Sequence, residues 1–326
     1  MSADPIPINR LARPVAGPET TKTAATIMLG LAIRDLRADA GLSQSQLAKA
    51  ILVSTPTVSR LETGEGTPQR RTVEAAAKAL KVDKATHDLL MVLAGRAEEP
   101  EWFQHRFNDI TPGYLKRLLG LESMAISLTL YDVRLVSGLL QVPEYTACLI
   151  RTGLHRSEWE DGKLELRLAQ RVERQERVLG QADPPTSIFL MDESVLRRRV
   201  GPNEVMRAQM FHLRELADLP RVVIRFVLLD ALIAGNEAST AGSIAQLQFG
   251  RGGLPDLVYS EGYGRADYFS KPVLPRGAQE QAKSSQQQKD SDYERHLQLL
   301  LRIQGEACAS PEQSRRMLEQ AIKRFS

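Results

Sequence analysis

The residues best suited to chemistry in this sequence are a run of small polar side chains ending in an arginine: Ser54, Thr55, Pro56, Thr57, Val58, Ser59 and Arg60. The chemistry they suit is recognition of a DNA edge. The fork of Arg60 could grip O6 and N7 of one guanine, a contact worth about 1–3 kcal/mol of discrimination. Thr55 and Pro56 could pack against a thymine methyl group. Upstream, Gln44 occupies the first turn of a preceding helix, where its N–H and amide could reach a phosphate. Downstream, Arg70 and Arg71 follow Thr67-Pro68-Gln69 and could meet the sugar-phosphate backbone. The candidate DNA contacts are therefore Gln44, Ser54, Thr55, Pro56, Thr57, Ser59, Arg60, Arg70 and Arg71. For each, the plain alternative is a solvated side chain on a helical protein-docking domain.

Two short helices must position this set. Ser43 with Gln46 three residues on is a capping-box pattern that starts the first helix. Ser54 caps the second, and Pro56 is tolerated in its first turn because those N–H groups lack intrahelical partners. Val58 and Leu61 then face inward against Leu47 and Ile51, and Gly64 ends the helix. Leu29, Ile33 and Leu36 before this pair, and Val73, Ala76, Ala77, Leu80, Leu89, Leu90 and Leu93 after it, repeat at helical spacing. A helical DNA-binding domain over residues 25–96 is expected. It follows a disordered arm at 1–24, rich in proline and small polar residues. A charged linker, Gly95 to Glu101, comes after it.

This segment resembles the helix-turn-helix of phage-repressor and Xre-type regulators over residues 27–94. The likeness is carried by Gln44, Leu47, Ala48, Val58, Ser59, Leu61, Glu62, Gly64 and Pro68. The resemblance implies that Glu62 forms a buried structural pair with Arg37 of the first helix. Leu52 departs from the pattern, which usually has glycine before the turn.

Residues 100–326 should form a larger mixed domain, making the fold class α+β. Residues 102–179 read as helical, with Pro143 at a helix start and a long helix from Trp159 to Leu179. The period then shortens: Ser187–Met191, Arg221–Leu229, Ile244–Phe249 and Asp256–Tyr259 suit strands. A helix between the first two, Pro202–Leu219, suggests a βαβ crossover. Ala278–Asp292 is polar and low in complexity, and Ser310-Pro311-Glu312-Gln313 opens a final helix.

Val136–Tyr145, Arg171–Gln175 and Asp192–Gly201, with Met206–Leu213 and Leu257–Glu261, resemble the C-terminal domain of actinobacterial Scr1/WhiJ-like regulators. That resemblance implies a transcriptional regulator, often encoded beside a small partner protein in an antitoxin-like pairing. It names no ligand. Arg167, Arg171 and Arg174 lie on one helix face by spacing. With Gln175 and Glu193 they could receive an acidic partner or an anionic ligand. Alternatively, they could form an internal network with Asp192 and Glu193.

Composition narrows the function classes. Of the 326 residues 42 % are hydrophobic, which suits a globular core, and aromatic content of 5 % speaks against a stacking-based single-strand binder. Net charge is only +3, yet residues 27–97 carry ten Lys/Arg against seven Asp/Glu. Cys148 and Cys308 have no metal-site spacing, and the five histidines sit singly. Gly250-Arg251-Gly252-Gly253 lacks the helix a phosphate loop needs and reads as a turn. The expectation is a cytoplasmic, non-enzymatic regulator without cofactor or metal. Its partners should be double-stranded DNA, a second copy of itself, and a small protein encoded nearby. A small-molecule effector is the remaining alternative.

Overall fold

A computed structural model of the chain describes residues 23–152, 163–231, 241–250, 256–262, 265–270 and 292–326. The N-terminal arm, Trp159, most of the glycine cluster and nearly all of the 278–292 segment lie outside them.

Five helices come first: α1 (Ala24–Asp39), α2 (Gln44–Ala50), α3 (Thr55–Thr63), α4 (Arg70–Ala79) and α5 (Lys84–Arg96). Their apolar stripes meet in one core of Met28, Leu29, Ile33, Leu47, Val58, Val73, Ala76, Leu90 and Leu93, all buried. The α1–α3 crossing is close because Gly30 has no side chain. A Cβ there would lie 2.6 Å from the carbonyl oxygens of Leu61 and Glu62.

The segment expected as a linker is docked. Ala97 is buried, and the Ala24 N–H at the start of α1 donates to Glu101 Oε1 at 2.6 Å. Phe103 and Phe107 are buried beside it, with Trp102 edge-on to both rings. Ala24 also packs against Gly120 of α6 (Gly113–Glu122), where a Cβ would come within 2.5 Å of the alanine's own.

Beyond α6 the chain is mixed, and the α+β class holds. Its elements are β1 (Ser127–Asp132), α7 (Pro143–Thr152), α8 (Leu164–Leu179), β2 (Thr186–Asp192), α9 (Asn203–Leu216) and β3 (Val222–Val227). They continue with β4 (Ser243–Gln248), β5 (Leu257–Glu261), β6 (Ala266–Ser270), α10 (Asp292–Arg302) and α11 (Pro311–Arg324). The strands form one six-stranded sheet in the order β3-β2-β1-β4-β5-β6. Strands β1, β2 and β3 run parallel, while the pairs β1–β4, β4–β5 and β5–β6 are antiparallel. The β2–α9–β3 unit is thus the expected crossover.

Strand β1 corrects the reading of residues 102–179 as wholly helical. The sheet is covered on both faces, so its central strands carry apolar side chains without alternation. Phe189 and Met191 of β2 pack with Met206, Met210 and Leu213 of α9, whereas Leu190 between them packs with Tyr131, Leu300 and Ile303. Arg225 ties the last helices to the sheet edge by donating to the carbonyls of Gln304, Cys308 and Ala309 at 2.8–3.0 Å.

Candidate nucleic-acid interface

Helix α2 starts where Ser43 Oγ accepts the Gln46 N–H and Gln46 Oε1 accepts the Ser43 N–H, closing a capping box. The turn into α3 passes through Leu52, whose φ of 57° is left-handed and whose side chain is 93 % exposed. Ser54 then accepts the Thr57 N–H, and the two hydroxyls lie 2.8 Å apart. Gly64, at φ 69°, ends α3.

The helix is thereby sorted into two sides. Val58, Leu61 and Glu62 are buried; Thr55, Pro56 and Arg60 are exposed, with Thr57 and Ser59 half-buried. The N-terminal end of α3 and its arginine face away from the core. Arg37 of α1 holds the other side: its Nε and Nη2 donate to the two oxygens of Glu62, and Nη1 donates to the Leu42 carbonyl. This contact raises the Arg37 pKa through the hydrogen bonds that the arginine donates to Glu62. Gln44 is half-buried, and its amide donates to Glu62 Oε2 at 2.8 Å. Its side chain, in the first turn of α2, therefore braces the pair.

Arg70 and Arg71, adjacent in sequence, part company. Arg71 is exposed, donates to Gln69 Oε1 at 2.8 Å and lines the open cleft beside α3. The Arg70 guanidinium folds back over Gly95 of α5.

The arginine face of α8 is turned inward. Arg174 donates from Nε and Nη2 to both oxygens of Glu122 at 2.8 and 2.7 Å, and the Glu122 side chain is 1 % exposed. Gln175 donates to the carbonyls of Gly138 and Gln141. Arg171 lies against Gly138, and burial, with Arg174 beside it, pushes its pKa down to about 10. Arg167 is half-buried on the same face. Glu193 stands apart: it pairs with Arg197 and accepts the Leu229 N–H. The carboxylate that pairs with Arg174 is thus Glu122 rather than Asp192 or Glu193.

Among the described residues no group of histidine, cysteine and carboxylates could hold a metal, and no helix is long and apolar enough to cross a membrane.

Residues 115–288, just over half of the chain, match the family model described as a domain of unknown function, DUF5753. The chain belongs to the DUF5753 family. Ahead of the DUF5753 region, residues 28–90 match a model described as a helix-turn-helix domain, which covers the whole α2–α3 site and places the chain among DNA-binding transcription regulators. No curated protein matches. Among solved structures, the crystal structure of the clp gene regulator ClgR from C. glutamicum is similar at 26 % identity. That likeness covers 24 % of this chain and 96 % of the other, with a TM-score of 0.19.

Proposed function

We propose that the chain is a sequence-specific, homodimeric transcriptional regulator that inserts α3, N-terminal end first, into the DNA major groove. One observation carries the reading: Thr55, Pro56 and Arg60 are exposed while Val58, Leu61 and Glu62 anchor the opposite side of the same helix. A recognition helix needs this division, because the base-reading side chains must project beyond the core that fixes their angle. Arg60 reads a guanine, Thr55 and Pro56 meet thymine methyls, and Arg71 contacts the backbone.

Dimerisation is part of the proposal because one such helix reads too few base pairs to select a site. Regulators of this build place two helices about 34–36 Å apart on paired half-sites. The Scr1/WhiJ-like resemblance of the region after residue 100 supports a regulatory role for it. Selection of duplexes from a randomised pool, followed by footprinting, tests both points. A palindromic protected site supports the proposal; a single asymmetric half-site bound by a monomer overturns the dimer.

A further inference from the structure

Between the helix-turn-helix and the rest of the chain lies a cleft of about 1160 Å³. One wall carries Arg60 of α3 and Arg71 of α4. The other carries Lys116 and Arg117 from the first turns of α6, with Tyr268 of β6 behind them. Four cations thus line the cleft, and Glu65 is the one carboxylate among its described lining residues. A duplex seated on α3 would bring its backbone against the α6 wall, because Arg60 itself faces that space.

Arg117 shows what the wall lacks. Its guanidinium stacks on the Tyr268 ring at 4.1 Å, and its Nε is buried with no hydrogen-bond acceptor. Burial lowers its pKa. Among the described residues no carboxylate forms an ion pair with it, whereas the fold supplies Arg174 with Glu122 at hydrogen-bond distance. A half-buried guanidinium without a counter-ion is a costly arrangement that an arriving anion relieves. Lys116 spends one of its three donors on Asn108 Oδ1 at 2.9 Å and keeps a compact positive charge at the cleft. The Gly113 and Tyr114 N–H groups open α6 on the same wall, adding the positive end of a helix dipole.

We propose that Lys116 and Arg117 are phosphate contacts, so that the backbone of a duplex read by α3 is held between the helix-turn-helix and α6. This inference rests on the DNA-binding reading above and deepens it: the DUF5753 region contributes to DNA affinity directly. Backbone contacts of this kind add affinity and salt dependence without sequence preference.

The test uses the full-length protein and a duplex obtained by selection, with affinity measured across a salt series. Lys116→Gln should weaken every duplex by the same factor and flatten the plot of log affinity against log salt by about 0.9. Lys116→Glu should weaken binding further, and adding Arg117→Gln should flatten the slope by roughly twice the single-variant amount. Should Arg117→Gln fail to fold, as a thermal melt would show, the two Lys116 variants decide alone. Wild-type affinity and salt slope in Lys116→Glu, with Arg71→Ala still weakened, would overturn the inference and leave the helix-turn-helix reading intact. If the unaltered protein ignores every duplex, the DNA-binding reading itself has failed and this inference falls with it.

Discussion

Arg37 and Glu62 meet through two parallel hydrogen bonds, with the arginine side chain 15 % exposed and the glutamate 2 %. Gln44 adds a third donor to the same carboxylate. One residue from each of α1, α2 and α3 therefore converges on a single buried charge, and this junction sets the angle at which α3 leaves the core. Arg37→Ala should destabilise the helical region by about 3 kcal/mol, because it strands a buried carboxylate. Denaturant unfolding measures this; a loss under about 1 kcal/mol, the range of surface pairs, would show that the pair is not structural.

Leu52 occupies a left-handed backbone position with its side chain in water. A leucine there costs about 1–2 kcal/mol, while a glycine would lose about 0.5–1 kcal/mol in chain entropy. Leu52→Gly should therefore stabilise the protein by roughly 0.5–1 kcal/mol and raise its melting temperature. A lower melting temperature would mean that the leucine makes contacts that outweigh its backbone strain.

Burial raises the Asp132 pKa from 3.8 to about 6, against the opposing pull of the Ser137 and Ser243 hydroxyls. A raised carboxyl pKa means that the native chain binds more protons than the unfolded one between about pH 4 and pH 6. Stability is then lost as pH rises through that window and stays lower above it. Asp132→Asn removes the ionisable group, so its stability relative to the wild type should improve from pH 4 to pH 7, by at most about 3 kcal/mol at ~1.4 kcal/mol per unit. Paired urea titrations at the two ends of the window check this. A constant difference between variant and wild type would refute it.

What could be read from the sequence was mainly local. Ser43 with Gln46, Ser54 before Thr57, and Ser310 before Gln313 start helices through contacts three residues apart, so their spacing alone revealed them. The β2–α9–β3 crossover was visible because apolar runs flank a helix-period stretch. Strand β1 was not, since Leu128 to Tyr131 are buried on both faces and show no alternation. Strand β6, Ala266–Ser270, is short, and none of its residues is fully buried. The Arg174–Glu122 pair joins residues 52 apart on different helices, which helical spacing cannot connect. Lys116 and Arg117 are not legible for the same reason: only the packing of α6 on α1 gives them a common cleft with Arg60. Adjacency in sequence likewise does not place Arg70 and Arg71, which point to different places.

Base preference and salt dependence, measured side by side for Arg60→Ala and Arg71→Ala on selected duplexes, separate reading from holding. Arg60→Ala should lose about 1–3 kcal/mol of discrimination at one base pair. Arg71→Ala should weaken all duplexes equally and flatten the salt slope by about one unit, leaving base preference unchanged. Identical behaviour of the two variants, or indifference of the intact protein to every duplex, would contradict the placement of α3 in the major groove.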